Sequence, residues 1–253
     1  MKPTAQEFRG AHGDRMVFRA MGPADGRPLV LIHGLFSNAE VNWIKYGHAE
    51  RLASEGRRVI MPDLRAHGQS ARSHDKADYT ADILADDNLG LLAQLGLGPG
   101  AFDLGGYSLG GRTTARMLAR GARPGKAMIA GMGLEGLLDL THRADFFRKV
   151  LSGAGTHEKF SSEWMAEAFL KTTGGDPKAL LLLVESFPRV PREALGTFDM
   201  PVMVLTGAQD RDNGSARALA DALPNATYIE VPGNHMSAVT LPDLGAAMAQ
   251  WFS

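Results

Sequence analysis

The chain has no cysteine among its 253 residues, which excludes disulfides, thiolate metal sites and a cysteine nucleophile. It also lacks any run approaching the roughly 18 consecutive apolar residues that a membrane-spanning helix needs. Nor does one sign of charge dominate. Lys and Arg number 27 and Asp and Glu 28, a formal charge of −1, so no broad field draws the chain to nucleic acid or anionic lipid, and neither is expected as a partner. The opening Met-Lys-Pro-Thr-Ala-Gln-Glu-Phe-Arg-Gly carries one early positive charge with no apolar stretch behind it, unlike a secretory leader. Repeats, low-complexity tracts and charged tails are missing as well. These absences leave a cytoplasmic globular protein as the expectation. What is present agrees: 44% hydrophobic and 22% charged residues exclude a wholly disordered chain. The length suits one large domain, or a domain with an insertion, around a substantial core.

Short apolar runs alternate with longer segments of helical spacing, the pattern of a largely parallel sheet flanked by helices. Residues 6–9 and 15–20, joined by Gly10-Ala11-His12-Gly13-Asp14, read as an opening hairpin. Further strands are expected at 28–33, 58–62, 101–107, 126–130, 201–206 and 226–231. Helices are expected at 39–54 (closed by Gly56), at about 77–95, at 109–120 and at 241–252. Residues 132–198 carry helical periodicity and no convincing strand. The reading is therefore an α/β core of residues 1–131 and 199–253 interrupted by a helical insertion, 132–198.

Gly106-Tyr107-Ser108-Leu109-Gly110, extended by Gly111, lies between an apolar strand and a helical stretch. That setting turns Gly-x-Ser-x-Gly into a nucleophile elbow: the tight turn strains its central residue and lifts the serine oxygen above the sheet edge. A serine hydroxyl needs a base, and eight histidines are available. His12 falls in the hairpin turn, His48 in a helix, and His142 and His157 in the insertion. His235 directly follows the last strand, where reacting groups of an open α/β sheet gather, and is the expected base. A carboxylate must orient it. Asp210 and Asp212 both follow the strand at 201–206; Asp210 stands nearer its end and is preferred, while Asp212 suits a helix cap. Oxyanion donors are expected from the backbone N–H of Leu35 or Phe36, with Leu35 preferred, and from that of Leu109. His33 reads as structural, and Phe36 and Tyr107 as substrate-binding walls.

With His33-Gly34 after a strand, Asp63-Leu64-Arg65-Ala66-His67-Gly68-Gln69-Ser70, the elbow, Gly207-Ala208-Gln209-Asp210 and Gly233-Asn234-His235, the chain resembles the α/β-hydrolase fold family over essentially its whole length. Ala66 stands where the family usually has glycine, which should slightly restrict that loop. His33-Gly34-Leu35-Phe36 is similar to the small bacterial serine esterases of the family. The resemblance implies a cofactor-free hydrolase with a helical cap after the sixth strand. The expected activity is a carboxylesterase acting on small to medium apolar acyl esters, with no cofactor and no metal. Carbon–carbon bond, lactone and amide hydrolysis and perhydrolysis would use the same triad, and a receptor could keep it without turnover. Gly96-Leu97-Gly98-Pro99-Gly100 precedes a strand and carries a proline, unlike a dinucleotide loop. His67, His74, Asp75, Asp78 and Asp82 are spaced irregularly and read as a solvated loop, and Asp82, Asp86 and Asp87 as the exposed face of a helix.

Overall fold

A computed structural model describes residues 3–139 and 141–253, with the side chains of Thr141 and His142 outside that description. Eight strands, β1 (Ala5–Arg9), β2 (Arg15–Met21), β3 (Arg27–Ile32), β4 (Arg57–Asp63), β5 (Asp103–Tyr107), β6 (Ala127–Ala130), β7 (Val202–Gly207) and β8 (Ala226–Val231), build one sheet. Their order is β1-β2-β4-β3-β5-β6-β7-β8. Only the β1–β2 and β2–β4 pairings are antiparallel; the other five are parallel. The central strands are unbroken apolar runs because helices cover both faces. Alternate residues serve opposite layers. Val30, Ile32, Leu104, Ile129 and Val204 face the core that includes α2 (Ile83–Gln94) and α3 (Leu109–Ala119). Leu29, Leu31, Met128, Met203 and Leu205 face the side of α1 (His48–Ser54) and α10 (Pro242–Phe252).

Between β6 and β7 the described residues form only helices: α4 (Leu134–Leu138), α5 (Thr141–Ser152), α6 (Ser162–Thr172), α7 (Pro177–Glu185) and α8 (Arg192–Leu195). Their starts are written in the sequence. The Ser161 hydroxyl accepts the Trp164 N–H at the head of α6, and Asp176 caps α7 with Pro177 in its first turn. α5 packs on α6 and α7, burying Val150, Leu170, Leu180 and Leu183. No helix among the described residues is long and apolar enough to cross a membrane.

Several local expectations are corrected. The helix expected over 39–54 is a π-turn at Glu40–Ile44 followed by α1, broken at Gly47 with φ +78°. The one expected over 77–95 begins only at Ile83, because Asp82 adopts φ +65°. Asp82, Asp86 and Asp87 do not form a solvated face. Asp82 is ion-paired with Arg116 and Arg120, and Asp86 with Arg120 at 2.9 Å. Asp87 is buried, with both carboxylate oxygens on Arg65 at 2.9 and 3.0 Å. Of the residues read as a solvated loop, His74 and Asp75 are exposed, but the loop at 63–70 buries His67 together with Asp63, Arg65 and Ser70. Its Ala66 takes φ +65°, the left-handed conformation that glycine adopts without strain.

Candidate active site

The carboxyl ends of β3 and β5 lie side by side, with Ile32 paired to Gly106. The chain leaves β5 through Ser108 at φ +55°, ψ −113° and enters α3 at once. This turn exists because its flanking residues have no side chain. A Cβ on Gly106 would fall on the Gly110 carbonyl, and one on Gly110 on the Ile32 carbonyl. The Ser108 N–H donates to the Ala130 carbonyl at 2.8 Å, and the Ser108 carbonyl accepts the Arg112 N–H at 3.0 Å. The strained residue is thus held from both sides.

β8 delivers His235. Its Nε2 lies 3.0 Å from the Ser108 Oγ, and its Nδ1 lies 2.8 Å from Asp210 Oδ2. Asp210 follows β7, and its second oxygen accepts the Asp212 N–H at 3.0 Å. The carboxylate holds the imidazole proton on Nδ1 and leaves Nε2 to accept from serine. Four hydrogen bonds fix the His235 loop. Asn234 Oδ1 accepts the N–H groups of Met236 and Ser237, the Asn234 N–H donates to Ser237 Oγ, and the Tyr107 hydroxyl donates to the His235 carbonyl at 2.6 Å. Burial opposes the charge of Asp210, but hydrogen bonds from His235 and the Asp212 N–H, with the nearby Arg143 cation, hold its pKa below the usual carboxylate value. Burial, then the Asp210 charge, push the Tyr107 phenol up, so it remains a donor. Asp212 pairs with Arg143 at 3.1 Å; the cap of the following helix, α9 (Ala216–Asp221), is Ser215.

Gly34 packs directly against Ser108: a Cβ there would lie 3.4 Å from the serine Cβ. Its N–H donates to Asn42 Oδ1 at 3.0 Å. His33 is structural, with Nε2 accepting the Leu64 N–H and Nδ1–H donating to the Gly34 carbonyl. The Phe36 N–H is committed to His67 Nε2 at 3.2 Å, while His67 Nδ1–H donates to the Arg65 carbonyl. Burial, then the neighbouring His33, lower the His67 pKa to about 3, so the ring stays a neutral acceptor. Among the described residues, the N–H groups of Leu35 and Leu109 have no protein acceptor, and both residues border the Ser108 hydroxyl. Phe36 departs from its expected role as a pocket wall. Its backbone sits at φ +61°, and its buried ring packs edge-on against Phe147 at 5.4 Å.

Two pockets meet at Ser108. One, of about 670 Å³ including its open mouth, has Tyr46, Tyr107, Phe169, His235 and Val239 in its wall. The other, narrower and of about 390 Å³ with its open mouth likewise included, has Leu109, Arg112, Met132, Arg143 and Phe147 in its wall. Sequence reasoning missed both arginines. Arg112 was within reach of it, lying one helical turn beyond the nucleophile on α3; Arg143 carries no comparable signal. His142, weighed above among the histidines, lies outside the described residues. Of the other histidines, His48 is buried with Nε2 on the Val239 carbonyl, His74 meets Asp176 at the head of α7, and His157 meets the Val150 carbonyl.

This elbow, sheet order and strand-end cluster define a class. Residues 27–174 match the family model of the alpha/beta hydrolase fold, and the chain belongs to that family. It is 36% identical over 110 residues to lipase 3 of Moraxella sp. (strain TA144), covering 44% of this chain and 33% of that protein. It is equally 36% identical over 121 residues to the non-heme chloroperoxidase of Streptomyces lividans, covering 47% and 40%. The matches thus span about a third to two fifths of those relatives' lengths. Among solved structures, an esterase from Exiguobacterium antarcticum superposes with a TM-score of 0.78 at 17% identity, over 98% of this chain and 99% of that one, a likeness of fold.

Proposed function

We propose that the chain is a serine carboxylesterase acting on small to medium acyl esters, with residues 132–198 as a cap over a core of residues 1–131 and 199–253. The observation that carries this reading is the unbroken relay from Ser108 Oγ through His235 to Asp210, at 3.0 and 2.8 Å, beside the two uncommitted N–H groups of Leu35 and Leu109. Ser108 Oγ attacks the ester carbonyl carbon as His235 Nε2 takes its proton, and Asp210 stays ionised to stabilise the imidazolium. The oxyanion accepts from Leu35 and Leu109; one such donor contributes about 3 kcal/mol to the transition state. The carbon–oxygen bond to the alcohol breaks, His235 protonates the departing oxygen, and an acyl-enzyme remains on Ser108. Water attacks it, giving its proton to His235, which returns that proton to Ser108 as the acid leaves. The partner is a small-molecule ester.

Similarity to a chloroperoxidase favours one second reading, perhydrolysis, in which hydrogen peroxide replaces water in the last step and yields a peracid. p-Nitrophenyl esters of two to twelve carbons, with and without peroxide and with Ser108→Ala as control, test both. Activity should peak at short or medium chains and fall by at least about a thousandfold in the variant. A preference for the longest chains, or activity that survives Ser108→Ala, contradicts the reading. Capture of peracid in place of the carboxylic acid would favour perhydrolysis.

A further inference from the structure

The two pockets beside Ser108 differ in charge. His235, which must protonate the departing alcohol, borders the larger one; that geometry assigns the alcohol to it and the acyl group to the other. Two arginines line the acyl side, an unexpected wall for a hydrocarbon chain. Arg112 is 7% exposed. Its guanidinium donates to the carbonyl oxygens of Gly136 and Pro188, and no carboxylate pairs with it among the described residues. These two carbonyls take two of its five N–H donors and do not neutralise its charge. Burial, then Arg116, lower its pKa to about 10, so it is still a cation at neutral pH.

Arg143 lies over the rings of Phe146 and Phe147 at 5.7 and 5.0 Å. One edge of it meets Asp212, and its buried Nε–H has no partner among the described residues. Both acids nearest the pocket act on Arg143, Asp212 through an ion pair and Asp210 through its charge, which leaves Arg112 with neither. An unneutralised buried cation is costly, and a carboxylate hydrogen-bonded to it offsets that cost. Arg112 is also near, since four residues of helix rise only about 6 Å from Ser108.

We propose that this pocket binds a free carboxylate on the acyl group, so that the preferred substrates are monoesters of short dicarboxylic acids. The proposal rests on the serine-esterase reading and replaces its apolar acyl group with an anionic one. Monoethyl succinate can be compared with ethyl 4-methylpentanoate, in which an isopropyl group takes the place of the carboxylate. The readout is the ratio of their kcat/KM values, which cancels any general loss of activity in a variant. Wild type should favour the charged ester by about tenfold or more, the gain of one charge-assisted hydrogen bond. Arg112→Gln and Arg143→Gln should each lower that ratio several-fold, and Arg143→Lys should restore part of it.

Succinate should also inhibit cleavage of p-nitrophenyl acetate competitively, and more strongly than 4-methylpentanoate does. Equal or lower kcat/KM for the charged ester in wild type, or a ratio unchanged in both Gln variants, overturns the proposal. If p-nitrophenyl acetate is cleaved through Ser108 without such a preference, the carboxylate pocket falls and the esterase reading stands. If Ser108 proves inert, both fall.

Discussion

Asp210 keeps its charge in a nearly sealed position because His235, the Asp212 N–H and Arg143 together outweigh the cost of burial. Asp210→Asn removes that charge and offers His235 an amide N–H or a neutral oxygen, either of which disturbs the tautomer that serine needs. The expected drop in kcat is about 10³- to 10⁴-fold with an unchanged circular dichroism spectrum; a loss under tenfold would mean that the carboxylate does not orient the ring. His67 makes a second prediction. Folding lowers its pKa from 6.5 to about 3, so below pH 6.5 the unfolded chain binds more protons than the folded one. Stability therefore falls as the pH drops from 6.5 toward 3, by up to about 1.4 kcal/mol per pH unit from this residue. Urea midpoints between pH 7 and 4.5 should decline more steeply for wild type than for His67→Gln. That Ser108, His235 and Asp210 would gather at one edge was legible because each lies within four residues of a strand's carboxyl end. His67 was not, since its burial follows from the fold of a whole loop.

At the scale of elements, the elbow depends on backbone passing over backbone. Gly110→Ala places a methyl group on the Ile32 carbonyl, which α3 can relieve only by moving away from β3. It should cost about 1–3 kcal/mol or more in urea denaturation and also lower activity, because α3 carries the Leu109 N–H. A variant with full stability would contradict this packing. The start of α2 shows why part of the sequence reading failed. Three aspartates at positions 82, 86 and 87 look like a solvated face because their spacing is local, whereas their partners Arg65, Arg116 and Arg120 arrive from distant segments. No window of helical length contains both halves of such a pair. Asp87→Ala would leave the Arg65 guanidinium buried with Asp14 as its remaining acid, and a cost of about 3 kcal/mol is expected in equilibrium unfolding. Strands were easier to read because complete burial on both faces leaves continuous apolar runs.

Across the whole molecule, sheet order brings residues 35, 108, 210 and 235 together from both halves of the chain, and the helical segment between β6 and β7 adds Arg143, Phe147 and Phe169 to the pocket walls. The fold and its interruption were legible from alternating periodicities. The polarity of the smaller pocket's wall was not, because α3 and α5, two elements that sequence treats separately, each give it one arginine. Every functional step argued above passes through one activated hydroxyl. Its most direct test is reaction with a fluorophosphonate, followed by proteolysis and mass spectrometry to locate the adduct. A single adduct on Ser108, strongly slowed in His235→Ala, is the expected result; an unreactive folded protein, or an adduct on a different serine, would contradict the account.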